Sequence, residues 1–284
     1  NNTCANVTIH VGNFVDIEKE LPADYDFIFL IGVLEYAGSY VNSLTPCEDM
    51  LRLLQGHLAP GGRIVLAIEN RFGMKYFAGC REDHLGTFFS GIENYPDATL
   101  FREEKEDGDR AHTETAASGV AASGVRTFTR NGLLRLFEDC GFDECSFYYP
   151  YPDYKFPAVL HSDAFLPRAD EFLDNVRNFD RDRLLLFNEK RAFAGVLKDG
   201  MYPDFANSFE VVLGPAFDTA YCKFSNDRAE EFRIRTDVYL AADGNYWVRK
   251  VPLSERAREH TANIRAAYEG LASRYEGGGL SIVG

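Results

Sequence analysis

The sequence predicts a mixed α/β fold: a doubly wound, largely parallel sheet over residues 1–213, followed by a small α+β module over residues 214–284. Three observations predict it. Near-continuous apolar runs from Tyr25 to Gly32 and from Arg63 to Glu69 suit parallel strands covered on both faces. Between them Met50, Leu51, Leu54 and Leu58 recur at helical spacing, and strand–helix–strand alternation indicates a parallel pair. Beyond Gly214-Pro215 the pattern changes to short strands with turn signals and one closing helix.

The elements follow in order. Val7, Ile9 and Val11 alternate with polar residues, which predicts a strand at 7–11. The strands at 26–31 and 63–68 are expected to be its parallel neighbours. The helix between those two begins near Pro46 and Cys47 and stops at Ala59-Pro60-Gly61-Gly62. A charge run from Glu103 to Asp109 and a repeated Ala-Ala-Ser-Gly-Val predict a mobile surface loop over 103–125. Thr129 is placed to cap a helix from Arg130 to Cys140 that Gly141 ends. A strand at 145–149 follows, then two amphipathic helical stretches within 163–200. A strand at 208–213 is expected to run antiparallel beside 145–149. In the second module Tyr221–Phe224, Phe232–Ala241 and Tyr246–Val251 read as strands, with Asp243-Gly244 a hairpin turn. Ser254 caps a helix reaching about Ser273.

Composition bounds the function. The 284 residues are 45% hydrophobic, enough for a packed core, which excludes disordered and fibrous classes. A net charge of −14 disfavours a broad face for nucleic acid or anionic lipid. No apolar run approaches the roughly 20 residues that a membrane-spanning helix needs. The six cysteines show neither CxxC pairs nor zinc-like spacing with histidine, so reduced thiols, a cytoplasmic protein and no metal site are expected.

The text "NVTIHVGNF", "YDFIFLIGVLEYAG", "LAPGGRIVLAIENRFG" and "TFTRNGLLRLFEDCGF" resembles, block by block, the later part of a class I S-adenosylmethionine-dependent methyltransferase. The resemblance covers roughly residues 5–155 and extends toward 213. It implies a Rossmann-like doubly wound methyltransferase sheet. "ENRFGMKYFAG" and "FYYPYPDYKFP" are similar to methyltransferase regions of bacterial polysaccharide or lipopolysaccharide biosynthesis proteins, often fused to glycosyltransferases. The family's glycine-rich turn and ribose-binding acid have no counterpart here. The chain is therefore expected to be a fragment with its first strands missing, on the order of 70 residues by the size of βαβ units, and to bind S-adenosylmethionine weakly or not at all.

The resemblance assigns site residues. Asn13 and Phe14 stand where the family meets the adenine, and Gly32, Val33, Leu34 and Glu35 follow the strand end that faces the cofactor. Tyr36 is a candidate to orient an acceptor. Glu69 is a candidate base, with Asn70, Arg71 and Lys75 as binders of a glycan or sugar-phosphate acceptor. Glu82, Asp83 and His84 form a dense acid–imidazole group in which His84 is a second candidate base. Tyr148, Tyr149, Tyr151 and Tyr154 offer stacking surfaces for a sugar. The second module faintly resembles the small lobe of kinase-like phosphotransferases, with Lys250 as phosphate binder and Glu259 or Glu269 as its partner. The rivals to methyl transfer are thus an ATP-binding module and a non-catalytic scaffold of polysaccharide assembly.

Overall fold

The computed structural model describes residues 6–95, 124–173, 175, 181–224 and 228–275. Eight strands form one sheet: β1 (Tyr25–Ile31), β2 (Leu58–Glu69), β3 (Cys145–Tyr151), β4 (Val159–Ser162), β5 (Ser208–Leu213), β6 (Thr219–Lys223), β7 (Ile234–Leu240) and β8 (Tyr246–Pro252). Their spatial order is β1-β2-β5-β3-β4-β6-β7-β8. The helices are α1 (Phe14–Ile17), α2 (Ala37–Tyr40), α3 (Pro46–Gln55), α4 (Met74–Phe77), α5 (Arg130–Asp139), α6 (Glu189–Lys198), α7 (Tyr202–Phe205) and α8 (Glu255–Tyr275).

The fold is mixed α/β, and it departs from a largely parallel sheet. Among the described strands only β1 and β2 run parallel, with Ile28 opposite Ile64 and Ile31 opposite Ala67. Every other neighbouring pair is antiparallel. An apolar run shows that a strand is covered on both faces, but the direction of its neighbour is set by the connection, which the run does not encode. The parallel pairing of 26–31 with 63–68 and the antiparallel placement of 208–213 beside 145–149 are as expected. The sheet continues across residue 214, because β6 hydrogen-bonds to β4.

Residues 7–11 form no strand, which corrects the expected third parallel member. Ile9 and Val11 are 70% and 91% exposed, so the alternation has no sheet face to bury. Ala59-Pro60-Gly61-Gly62 lies inside β2 rather than ending α3, which stops at Gln55. A register shift between Tyr25 and Phe27 accommodates it: a side chain at Gly62 would meet the Tyr25 carbonyl.

Period-2 alternation puts Ile64, Leu66 and Ile68 of β2, Phe147 and Tyr149 of β3, and Phe209 and Val211 of β5 on one face. Met50, Leu51 and Leu54 of α3, with Leu133, Leu136 and Phe137 of α5, close over it. Two predicted caps form: Thr129 Oγ1 accepts from the Gly132 N–H at 3.0 Å, and Ser254 Oγ from that of Ala257 at 3.1 Å. Asp243-Gly244 turns the β7–β8 hairpin, with Gly244 at φ +82°. Of the two helical stretches expected in 163–200, α6 is present and the other falls partly outside the described residues. The expected loop at 103–125 also lies outside them, except for its last two residues. The five described cysteines are free thiols, and no described helix is long and apolar enough to cross a membrane.

His161 on β4 gives the fold a pH dependence. It is 1% exposed and packs on Tyr221 with ring centroids 5.0 Å apart. Burial pulls its pKa from 6.5 to about 4, against a smaller upward pull from the Phe165 carbonyl. The unfolded chain therefore takes up this proton well before the folded one does, and stability falls as pH drops from 6.5 toward 4. The loss from this group is about 3 kcal/mol. Urea unfolding at pH 7 and pH 4.5 is expected to show a drop that H161F shrinks by about 2–3 kcal/mol. An equal drop in both chains would place the charge change elsewhere.

Candidate functional site

The carboxyl ends of β1 and β2 carry the densest group of buried polar side chains. After Ile31 the chain turns at Gly32, whose φ of +63° suits glycine and whose N–H donates to the Ala67 carbonyl of β2 at 2.9 Å. A single 3-10 turn, Leu34–Tyr36, follows. Leu34 enters the core, and Glu35 beside it is 2% exposed. Glu69 ends β2 and is 1% exposed. Next in the chain, Asn70 donates through Nδ2 to the carbonyls of Asp204 and Ala206 at 2.7 and 2.8 Å, and its Oδ1 accepts from the Phe72 N–H. That closes the strand end.

α4 turns Lys75 and Tyr76 inward. Lys75 Nζ donates to Asp153 Oδ2 at 2.6 Å and to Asp83 Oδ2 at 3.0 Å, and Tyr76 Oη donates to the same Asp83 oxygen at 2.6 Å. Asp153 comes from the segment after β3, as does Lys155, whose Nζ lies 2.8 Å from Glu69 Oε1. In the loop after α4, Glu82 accepts from the backbone N–H groups of His84 and Leu85 and from Tyr95 Oη. Its Oε1 also holds His84 Nδ1 at 2.6 Å. His84 Nε2 then faces Glu35 Oε1 at 3.8 Å, and Tyr36 stacks edge-on against the imidazole.

The environment sorts the titrating groups. Burial above all, helped by Asp83 and Asp153 and opposed by Lys75 and Lys155, pushes the Glu69 carboxyl up to about 7. Burial pulls His84 down, but the facing Glu35 carboxylate and the hydrogen bond to Glu82 prevail and hold it up to about 10. At neutral pH that is a proton donor rather than the base the sequence suggests. Burial also opposes the Lys75 charge, yet Asp153 and Asp83 keep its ammonium well above the usual range. Lys75 and Lys155 in turn hold Asp83 well below the usual carboxylate range, against burial.

The structure brings Gly32, Leu34, Glu35, Tyr36, Glu69 and His84 to one edge, with Val33 in the same turn and 39% exposed. The expected acceptor binders serve the fold instead. Asn70 and Lys75 are spent on the contacts above. Arg71 donates to the Thr127 carbonyl at 2.5 Å, and burial lowers its pKa. Asn13 and Phe14 stand apart: Asn13 Nδ2 donates to the Tyr40 carbonyl, while Phe14 lines a cavity of about 190 Å³ with Tyr25, Leu54 and His57, at the start of β1. Tyr148, Tyr149 and Tyr151 are core residues, and only Tyr154 reaches the site, its Oη within 2.9 Å of where a Gly32 side chain would begin.

Among the described residues Lys250 has neither expected acid. Its Nζ donates to Thr236 Oγ1 at 2.8 Å, while Glu269 pairs with Arg265 one helical turn away. Asp153 and Lys155 were not foreseen in the site. The signal was the polar Asp-Tyr-Lys directly after an aromatic strand, at the same sheet edge as Glu69. Compared with models of known protein families, with curated proteins and with solved structures, the chain gives no match.

Proposed function

We propose that the protein transfers a methyl group from S-adenosylmethionine to a hydroxyl of a glycan or glycan precursor, at the carboxyl edge of β1 and β2. The observation that carries this reading is the set of buried acids and imidazole gathered where the parallel pair ends. Open α/β sheets bind their ligands at that edge. Three of the four sequence blocks that resemble class I methyltransferases map onto β1, β2 and α5, the block at 6–14 forms no strand, and β5 runs antiparallel between β2 and β3. Gly32 to Glu35 are the residues at hand to hold the cofactor. Phe14, beside the start of β1, and Asn13, whose amide is spent on the Tyr40 carbonyl, are not used.

S-adenosylmethionine supplies the methyl group when bound. The acceptor oxygen bonds to the methyl carbon as the carbon–sulfur bond breaks, the electron pair stays on sulfur, and the hydroxyl proton has to leave. Glu69 is the carboxylate to take that proton, and Lys155, whose side chain is 31% exposed beside it, is the cation at hand for an incoming polar acceptor. Tyr36 and Glu82 fix the imidazole of His84 between them.

Calorimetric titration with S-adenosylhomocysteine and, separately, with ATP tests the reading. Weak binding of S-adenosylhomocysteine and none of ATP is the expected outcome. Binding of ATP alone would shift the function to phosphate transfer, and binding of neither would leave a scaffold.

A further inference from the structure

We infer that Glu35, Glu69 and His84 form a binding site for one divalent first-row transition-metal ion of the manganese or zinc class. One ligand atom from each residue lies within 4.8 Å of the other two. An ion bound at roughly 2.0–2.2 Å to oxygen and nitrogen holds neighbouring ligand atoms about 3–3.5 Å apart. Side-chain adjustments of an ångström or so therefore close the site. Glu35 Oε2 is buried and has no hydrogen-bond partner, which is costly for a carboxylate oxygen and is relieved by a cation.

The surroundings are those of a metal-bound histidine. Glu82 fixes His84 through Nδ1 and leaves Nε2 turned to the two acids, the carboxylate–histidine–metal order in which an outer acid sets the tautomer and the ring orientation. Glu82 is itself held by two backbone N–H groups and by Tyr95. The charge balance points the same way. Among the described residues, Glu35, Glu69, Glu82, Asp83 and Asp153 pair with Lys75, Lys155 and His84. Even with His84 protonated the acids are in excess, and an ion would take the place of the Nε2 proton. Lys155, which neighbours both Glu69 and Asp83, is the cation that has to yield at Glu69. Asn70 is excluded as a ligand because both ends of its amide are engaged. Two carboxylates and one imidazole suit a borderline ion better than magnesium or calcium, and they leave positions open for water or a hydroxyl.

This inference deepens the methyl-transfer reading, since an ion with an open position lowers the pKa of the hydroxyl it binds. Its binding test requires neither cofactor nor acceptor. The probe is Mn2+ added to the 284-residue chain, read by the loss of its free-ion spin-resonance signal, with Zn2+ calorimetry alongside. One ion per chain is expected, with nitrogen modulation from one imidazole in the spin echo of the unsubstituted protein. E35Q and H84Q should each weaken binding at least tenfold, while D107N, in the acidic run at 103–109, leaves it unchanged. Circular dichroism reports whether the variants fold, and the spin echo keeps the test decisive if they do not. No binding at millimolar ion, no nitrogen modulation, or loss of binding only in D107N overturns the site. Mn2+ binding without S-adenosylhomocysteine binding would keep the metal and discard methyl transfer, and the reverse result would do the opposite.

Discussion

Replacing Lys75 with methionine is expected to remove about 3–5 kcal/mol of folding stability, the cost of breaking a buried ion pair from one side. Lys75 is 3% exposed and is held by Asp153 and Asp83 at 2.6 and 3.0 Å. Without its ammonium, Asp83 retains Tyr76 Oη and a distant Lys155. Asp153 retains through Oδ1 only the backbone N–H of Lys155. Urea unfolding measures the loss. Adding D153N to K75M removes the stranded charge, so the double variant should recover part of the stability. A loss below about 1 kcal/mol for K75M would mean that water reaches the group and screens it.

E69Q is expected to slow methyl transfer by about 10²–10⁴-fold, the usual contribution of a group that handles the reacting proton. The amide keeps the size of the side chain but cannot take a proton, and it turns a donor toward Lys155. Circular dichroism and the unfolding midpoint separate this from misfolding. Transfer of a tritiated methyl group to an oligosaccharide acceptor gives the rate. A loss under tenfold would remove Glu69 from the reacting centre.

Much of the backbone was legible because its signals are local. The apolar runs of β1 and β2, the Thr129 and Ser254 caps and the Asp243-Gly244 turn each depend on a few neighbouring residues. β4 was not legible, because Val159–Ser162 is four residues long and too short to show a period. The segment at 7–11 had the right alternation but forms no strand, with Ile9 and Val11 exposed. Site residues divide along the same line. Glu35, Glu69 and His84 follow strand ends or crowd one loop, so position alone drew attention to them. Of the two acids that hold Lys75, Asp83 lies eight residues on, beyond the end of α4, and Asp153 lies 78 residues away, so no local pattern shows that its charge is already taken. That distance is why Lys75 read as a free cation for a phosphate.

The position of β5 has a consequence for synthesis. β2 and β3 are both made before β5, yet neither touches the other in the finished sheet, since β5 fills the slot between them. At roughly 5–20 residues per second, a nascent chain waits on the order of ten seconds between the emergence of β2 and that of Ser208. For that interval the edge of β2 that β5 will occupy has no strand to pair with. Only when the last piece of the slot arrives do the two halves lock, so this polypeptide closes its sheet late and from the middle.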